Sequence, residues 1–399
     1  PKELLEKWGK KDPVLNFEAF LIDSSILTLE DVTKIKKGIT KEIETNLEKT
    51  FNEKKIISSV EKELSDVYAD FKFKKVEKSN KVQNMRLVDS ISDGLKEAMY
   101  KDDSLVIMGQ DIAEYGGVFK ITEGFVDLFG KERVRNTPIC ESSIIEIAMG
   151  LSICNRKSIV ELQFSDFITS GFNPVVNYLA KSHYRWGQNA DIVLRMPCGA
   201  GVGAGPFHSQ TNEAWFTKTP GLIVIYPSTP IDAKGLLISS IENPNPVLFF
   251  EHKALYRSIR DDVPKGYYNT EIGKAKLLNV GTDITIITYG SGVHESIATI
   301  KKYSISADLI DLRTLSPLDN DSIIKSVKKT GKAIILQEDS LFGGLASEIS
   351  SVIMENCFEN LDAPVIRVGS LDTPIPFEET LEKQYLPFER FESEILKLI

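Results

Sequence analysis

The chain has 399 residues, 42% of them hydrophobic, which is enough for about two to three packed domains. With 48 basic and 57 acidic residues its net charge is −9, which opposes non-specific binding to nucleic acid and suits a basic protein partner. No apolar run reaches the roughly 18 residues of a membrane span, and four isolated cysteines with only four histidines support neither a disulfide framework nor a structural zinc site.

The sequence opens on Pro1 with no charged-then-apolar leader in view, and the expectation is that the natural start is missing. Residues 1–80 are rich in Lys and Glu, poor in Gly and patterned for helices, so they read as a helical extension. Thr28-Leu29-Glu30-Asp31 has the form of a capping box and predicts a helix from about Leu29 to Leu47. Lys72, Lys74, Lys75, Lys78 and Lys81, with few apolar residues between them, predict a solvated linker that continues to Asn84.

From Leu87 onward short apolar runs alternate with helical patterns. Strands are expected at Leu105 to Met108, Ile159 to Leu162, Ile192 to Met196, Leu222 to Tyr226 and Val247 to Phe250, and a helix capped by Thr229 with Pro230 in its first turn. Arg260 to Asn269 is turn-rich. Strands then resume at Ile284 to Tyr289, Leu309 to Leu312, Ala333 to Gln337 and Pro364 to Val368, with helices near Ser291 to Lys301, Asn320 to Lys329 and Leu345 to Glu355. The fold class is therefore α/β, with crossover units building a parallel sheet in residues 84–262 and a second, smaller domain in residues 268–399.

Glu141 stands in Thr137-Pro138-Ile139-Cys140-Glu141-Ser142-Ser143, at the mouth of an apolar helix. Taken alone, a carboxylate there complements the helix dipole. The less favoured alternative on these residues alone is an acid whose charge is disfavoured beside Ile139, Ile144 and Ile145 and which shares a proton with a ligand nitrogen. Phe164 and Phe167 have core-like spacing. His208 follows the run from Gly199 to Gly205, in which every second residue is glycine and the backbone can approach a ligand closely; a solvated loop histidine is the plainer alternative. That run does not match the dinucleotide fingerprint, and no phosphate-loop lysine follows it.

The Glu141 segment is joined by Met108-Gly109-Gln110-Asp111-Ile112-Ala113, Gly116-Gly117-Val118-Phe119, Gln163-Phe164-Ser165-Asp166-Phe167, Phe207-His208-Ser209-Gln210 and Asp311-Leu312-Arg313-Thr314-Leu315-Ser316-Pro317. Together these resemble the beta subunit of the thiamine-diphosphate-dependent decarboxylating component of 2-oxoacid dehydrogenase complexes, over roughly Met85 to Leu386. Ala346-Ser347-Glu348-Ile349-Ser350 and Asp372-Thr373-Pro374 look more like the branched-chain branch than the pyruvate branch.

The resemblance implies a pyrimidine-type thiamine-binding domain followed by a transketolase C-terminal-like domain. It implies oxidative decarboxylation of a branched-chain 2-oxo acid or pyruvate, with acyl transfer to lipoyl groups. Glu141 would activate the cofactor, Phe167 would pack on its pyrimidine, Gln110 and Ile139 would line its place, and His208 would serve the reaction centre. Gln110 departs from the glutamate common in relatives, and an amide cannot relay a proton, so Asp111 or Glu114 would have to supply any relay. A potassium site is implied at Ile192, Val193, Ser240, Asn243 and Asn245.

The diphosphate and magnesium would belong to an alpha-type partner, because the Gly-Asp-Gly motif of that half does not occur in this sequence. Trp8-Gly9-Lys10-Lys11-Asp12-Pro13, Ile26-Leu27-Thr28 and Asp66-Val67-Tyr68-Ala69 resemble the alpha subunit's C-terminal tail, so a fused alpha-beta protein is expected. Other implied partners are a second copy of the chain, in an alpha2beta2-like assembly, and the lipoyl acyltransferase, with neither nucleic acid nor membrane. The implied location is the bacterial cytoplasm or, in a eukaryote, the mitochondrial matrix. Rival readings are a non-catalytic assembly subunit and another transketolase-type enzyme such as an acetoin dehydrogenase.

Overall fold

The computed structural model describes all 399 residues and divides into two compact units, Pro1–Glu61 and Lys62–Ile399. In the first unit, Asp12 accepts from the Val14 and Leu15 amides at 2.8 and 3.0 Å to start the helix Pro13–Asp23. Thr28 and Asp31 form the expected capping box, and the helix they start runs Leu29–Phe51. It passes the predicted end at Leu47 because Glu48 and Lys49 continue to favour helix, and Asn52 is the first residue that caps it. Ile35, Ile39, Ile43 and Leu47 repeat every fourth residue on its surface and are exposed.

In the second unit the lysines of the expected solvated linker, Lys72, Lys74, Lys75, Lys78 and Lys81, are exposed, but the segment is pinned to the domain behind it. Asn245 brackets Ala69, accepting its N–H at 2.8 Å and donating to its carbonyl at 3.0 Å, while Asn269 does the same for the Val76 N–H and the Lys74 carbonyl, both at 2.8 Å. Val82–Arg86 then pairs antiparallel with Arg260–Pro264, inside the segment expected to be turn-rich. Both strands are short and largely exposed, so neither shows the alternation that marks a half-buried strand; only Met85 and Val263 reach a small core beside Tyr268.

A seven-stranded sheet follows in the spatial order Thr314–Ser316, Ile223–Ile225, Val247–His252, Ile192–Cys198, Ser158–Glu161, Val106–Gly109 and Val134–Asn136. All neighbours are parallel except the first pair. Burial on both faces explains the near-continuous apolar runs. One face carries the helices Leu87–Lys101 and Pro230–Glu242, which pack on each other; Thr229 Oγ1 accepts from the Asp232 amide at 3.3 Å to cap the second.

The second sheet runs Ile366–Ser370, Ala333–Ser340, Ile284–Thr288, Ala307–Asp311 and Lys276–Asn279, with only the last strand antiparallel. Thr314–Ser316 lies in the later part of the sequence yet completes the first sheet, so the two sheets are joined by shared backbone pairing as well as by packing.

Candidate active site

Four neighbouring strands of the large sheet release the chain at their carboxyl ends, and each following loop delivers one of the residues singled out above. Val134–Asn136 leads to Glu141, Val106–Gly109 to Gln110, Ser158–Glu161 to Phe167 and Ile192–Cys198 to His208. That edge of a parallel sheet is where ligands ordinarily sit.

Glu141 opens the helix Glu141–Ile153 and is 8% exposed. Its Oε1 accepts from Gln110 Nε2 at 3.1 Å. Its Oε2 lies 3.1 Å from the hydroxyl of Ser170, which is also 3.1 Å from the Phe167 carbonyl and donates to one acceptor or the other. Ser170 is the penultimate residue of the short 3₁₀ turn Ser165–Gly171, and that turn presses on the Glu141 helix so closely that a Cβ on Gly171 would meet Ile145 Cδ1 at 2.5 Å. Gly171 is thus what allows Ser170 to reach the carboxylate. The expected apolar wall is only partly present: Ile144 and Ile145 are buried in the core, whereas Ile139 is 84% exposed and does not enclose the acid. Its position just before the helix turns it outward, where it remains available to a ligand or a partner.

Phe167 and His208 are half-buried and lie edge to face with ring centroids 5.5 Å apart, and Phe164 stands 4.8 Å from the same imidazole. Behind this wall Lys253 donates to the Gly199 carbonyl at 2.7 Å, and burial lowers its pKa from the ordinary lysine value. Asp166 accepts from the Gln210 amide at 3.2 Å through one oxygen and has no protein partner on the other; burial pushes its pKa up against those hydrogen bonds. The carboxylate of Glu141, the Ser170–Phe167 link and the aromatic-backed imidazole therefore line one continuous edge.

The sequence and the fold match known proteins. Residues 83–258 match the transketolase pyrimidine binding domain, and residues 273–390 the transketolase C-terminal domain. The mitochondrial 2-oxoisovalerate dehydrogenase subunit beta of Dictyostelium discoideum is 43% identical over 80% of this chain and 88% of its own length. Two Bacillus subtilis proteins, the 2-oxoisovalerate dehydrogenase subunit beta and the pyruvate dehydrogenase E1 component subunit beta, are 42% and 41% identical, each over 76% of this chain and 94% of their own length. The chain belongs to the beta-subunit family of thiamine-dependent 2-oxoacid dehydrogenases. A solved split-gene transketolase, described as an inactive beta4 tetramer, shares the fold with a TM-score of 0.63 at 20% identity, covering 79% of this chain and 98% of that one.

At the expected potassium positions several oxygens are already engaged within the chain. Ser240 donates its hydroxyl to the Leu236 carbonyl at 2.7 Å, and Asn243 Oδ1 receives both the backbone and the side-chain N–H of Asn245 at 2.9 and 3.0 Å. Asn245 Oδ1 is committed to Ala69. The Asn243 carbonyl accepts the ammonium of Lys157 at 2.7 Å, and that ammonium also pairs with Asp191. Ile192 and Val193 lie in the fully buried strand beside it. A potassium ion does not fit at the Asn243 carbonyl, because a lysine cation already holds it.

Three further features were not read from the sequence. Ser170 carried no motif. Arg195, fully buried in mid-strand, pairs with Glu161 and with Glu251 at 2.7 Å, and Glu251 also accepts from Tyr256 at 2.6 Å. The carboxylates of Glu338 and Glu382 reach the glycine-rich loop from the C-terminal domain. A charged residue inside an apolar strand run was the available signal for Arg195 and Glu251.

Proposed function

We propose that this chain performs the pyrimidine-side half of 2-oxo acid decarboxylation, with transfer of the resulting acyl group to a lipoyl arm. The observation that carries the reading is the Glu141 carboxylate held between Gln110 and Ser170, one link from the Phe167–His208 ring pair. Bound thiamine diphosphate would supply the carbanion that adds to the 2-oxo carbon and serves as electron sink.

Glu141 fits the aminopyrimidine: its oxygens are oriented by two neutral donors, so the carboxyl can hold a proton at a ring nitrogen. Phe167 offers an aromatic face to the same ring, and Ile139 an exposed apolar surface. The His208 imidazole, backed by Phe164 and Phe167, would give or take a proton at the substrate-derived oxygen and orient the acyl group for transfer. Gln110 serves as a neutral donor to Glu141; Glu114 is paired with Lys131 at 2.6 Å on the surface.

No group of three or more His, Cys, Asp or Glu side chains in this chain is arranged to hold a metal ion. In this reading magnesium and the diphosphate are held by an alpha-type domain, and residues 1–80 are the tail of such a domain in a fused polypeptide. A second copy completes an alpha2beta2-like assembly. The C-terminal domain of this acidic chain docks the basic binding domain of a lipoyl acyltransferase.

Decarboxylation of 2-oxoisovalerate and of pyruvate with thiamine diphosphate and magnesium tests this, using the chain alone and the chain with an alpha-type catalytic domain. Activity is expected only in the pair, and Glu141→Ala should lower it by about 10²- to 10⁴-fold. Turnover by the chain alone would overturn the split site, and the preferred substrate assigns the branch.

A further inference from the structure

The loop that presents His208 is tied to its own domain at its two ends, through Gly199 and Gln210, while the amides between them are held from the C-terminal domain. Gly199, Gly201, Gly203 and Gly205 all have positive φ, at 91°, 85°, 67° and 72°. Alternating left-handed residues of this kind turn successive N–H groups toward one side and form an anion-binding concavity. Two carboxylates of the C-terminal domain occupy that concavity. Glu338, at the end of the strand Ala333–Ser340, accepts from the Ala200 amide at 2.7 Å through Oε1, while its Oε2 accepts from Ser291 at 2.5 Å and lies 2.7 Å from His252 Nε2. Glu382, on the helix Glu379–Tyr385, accepts from the Gly201 amide at 2.9 Å and from the Gly203 amide at 3.0 Å. Glu382 is 4% exposed, whereas Gly201 and Gly203 lie at the surface, so the carboxylate anchors an exposed stretch of loop from a buried position. Phe377 closes the far end, where a Cβ on Gly205 would meet its ring at 2.4 Å.

We propose that Glu382 is a positioning residue for His208: its carboxylate fixes the glycine loop in the one conformation that sets the imidazole against Phe164 and Phe167. The proposal rests on the reading of His208 given above. Loss of the clamp frees the Gly201 and Gly203 amides and lets the loop, which has few side chains of its own to pack, sample conformations in which His208 leaves the ring wall. A carboxylate suits this place because it alone accepts both N–H groups with two oxygens and offers no competing donor.

The test uses the chain with its alpha-type domain and a matrix of Glu382→Ala, Glu382→Gln, His208→Ala and the double variant His208→Ala with Glu382→Ala. Glu382→Ala should lower kcat about 10- to 100-fold with KM for the 2-oxo acid changed less than about threefold, Glu382→Gln should recover part of the loss, and Glu382→Ala should cost less than about twofold more in the His208→Ala background. Hydrogen exchange at the Gly201 and Gly203 amides, measured on this chain alone, should quicken about tenfold or more in Glu382→Ala. Full additivity with His208→Ala, or unchanged exchange, overturns the proposal. If Glu382→Ala does not fold, Glu382→Gln carries both measurements, since it preserves volume and one acceptor. Retained activity in Glu141→Ala would instead sink the functional reading, and the exchange result would still decide whether Glu382 clamps the loop.

Discussion

Two buried charged clusters lie within the same unit and are satisfied in opposite ways. In the first, Arg195 meets Glu161 and Glu251 with both ends of its guanidinium, and Tyr256 completes Glu251. Burial opposes the charge on Arg195, but the two carboxylates outweigh it and raise its pKa. In the second, beneath the glycine loop and the domain junction, Asp166 Oδ2, Ser209 Oγ, Asn212 Oδ1, Glu213 Oε2 and His252 Nδ1 are buried without a protein partner. The first cluster ties three adjacent strands together and leaves nothing over for chemistry. The second keeps unspent hydrogen-bonding capacity next to His208, which is where a ligand, a proton or a change of loop conformation can use it.

Removing one member of the satisfied cluster should give the largest loss of stability. Arg195→Ala leaves two buried carboxylates facing each other, at a cost of about 3–5 kcal/mol in unfolding free energy by denaturant titration, whereas replacing Arg195, Glu161 and Glu251 together by apolar residues of similar volume should cost far less. Equal losses in both would mean that the cluster contributes through packing and not through its charges. Lys157 offers an intermediate case. Its ammonium, held by Asp191 and the Asn243 carbonyl, is 11% exposed, and burial lowers its pKa against the pull of Asp191. Lys157→Ala should cost about 2–3 kcal/mol, and the unaltered chain should unfold at the same temperature in potassium and sodium salts of equal ionic strength. A potassium-specific rise in that temperature would show that the lysine does not stand in for the ion.

The parts of this contrast that sequence could carry were those with local signatures. Most strands of both sheets and the Thr28 and Thr229 caps follow from apolar runs and cap chemistry, whereas Gln110, Glu141, Phe167 and His208 were marked by the family resemblance and not by local pattern. What escaped depends on residues far apart in the chain. The pairing of Val82–Arg86 with Arg260–Pro264 joins two polar edge segments with no alternation, and the Asn245 and Asn269 brackets pin a segment whose composition reads as solvated. Thr314–Ser316 crosses to the other sheet because Leu315 is buried in the shared core. Ser170 reaches Glu141 only because Gly171 allows a helix to come close, and Glu382 meets Gly201 across 181 positions. Such contacts are set by tertiary packing, on which local propensity is silent.

The smallest expected effect probes the unsatisfied cluster through pH. Glu213 is fully buried, and its carboxyl is pushed above the usual range first by burial and then by the nearby charge of Asp339, against the hydrogen bond it accepts from Tyr289 at 2.6 Å. Asp339 is itself raised by burial and by Glu338, while Glu338 is held low because His252, Ser291 and the Ala200 amide outweigh its burial. The folded chain thus binds the Glu213 proton more tightly than the unfolded chain does. Its contribution is complete below the ordinary carboxylate range and is lost as pH rises through the raised value. Glu213→Gln fixes the neutral form, keeps an acceptor for Tyr289 and should flatten that decline, gaining on the order of 1 kcal/mol at mildly alkaline pH and almost nothing at pH 4. Unfolding curves for both proteins across that range decide it: parallel declines would place the titration on Asp339 instead, and a decline confined to the unaltered chain would show that the open cluster, unlike the Arg195 cluster, holds its charge state only conditionally.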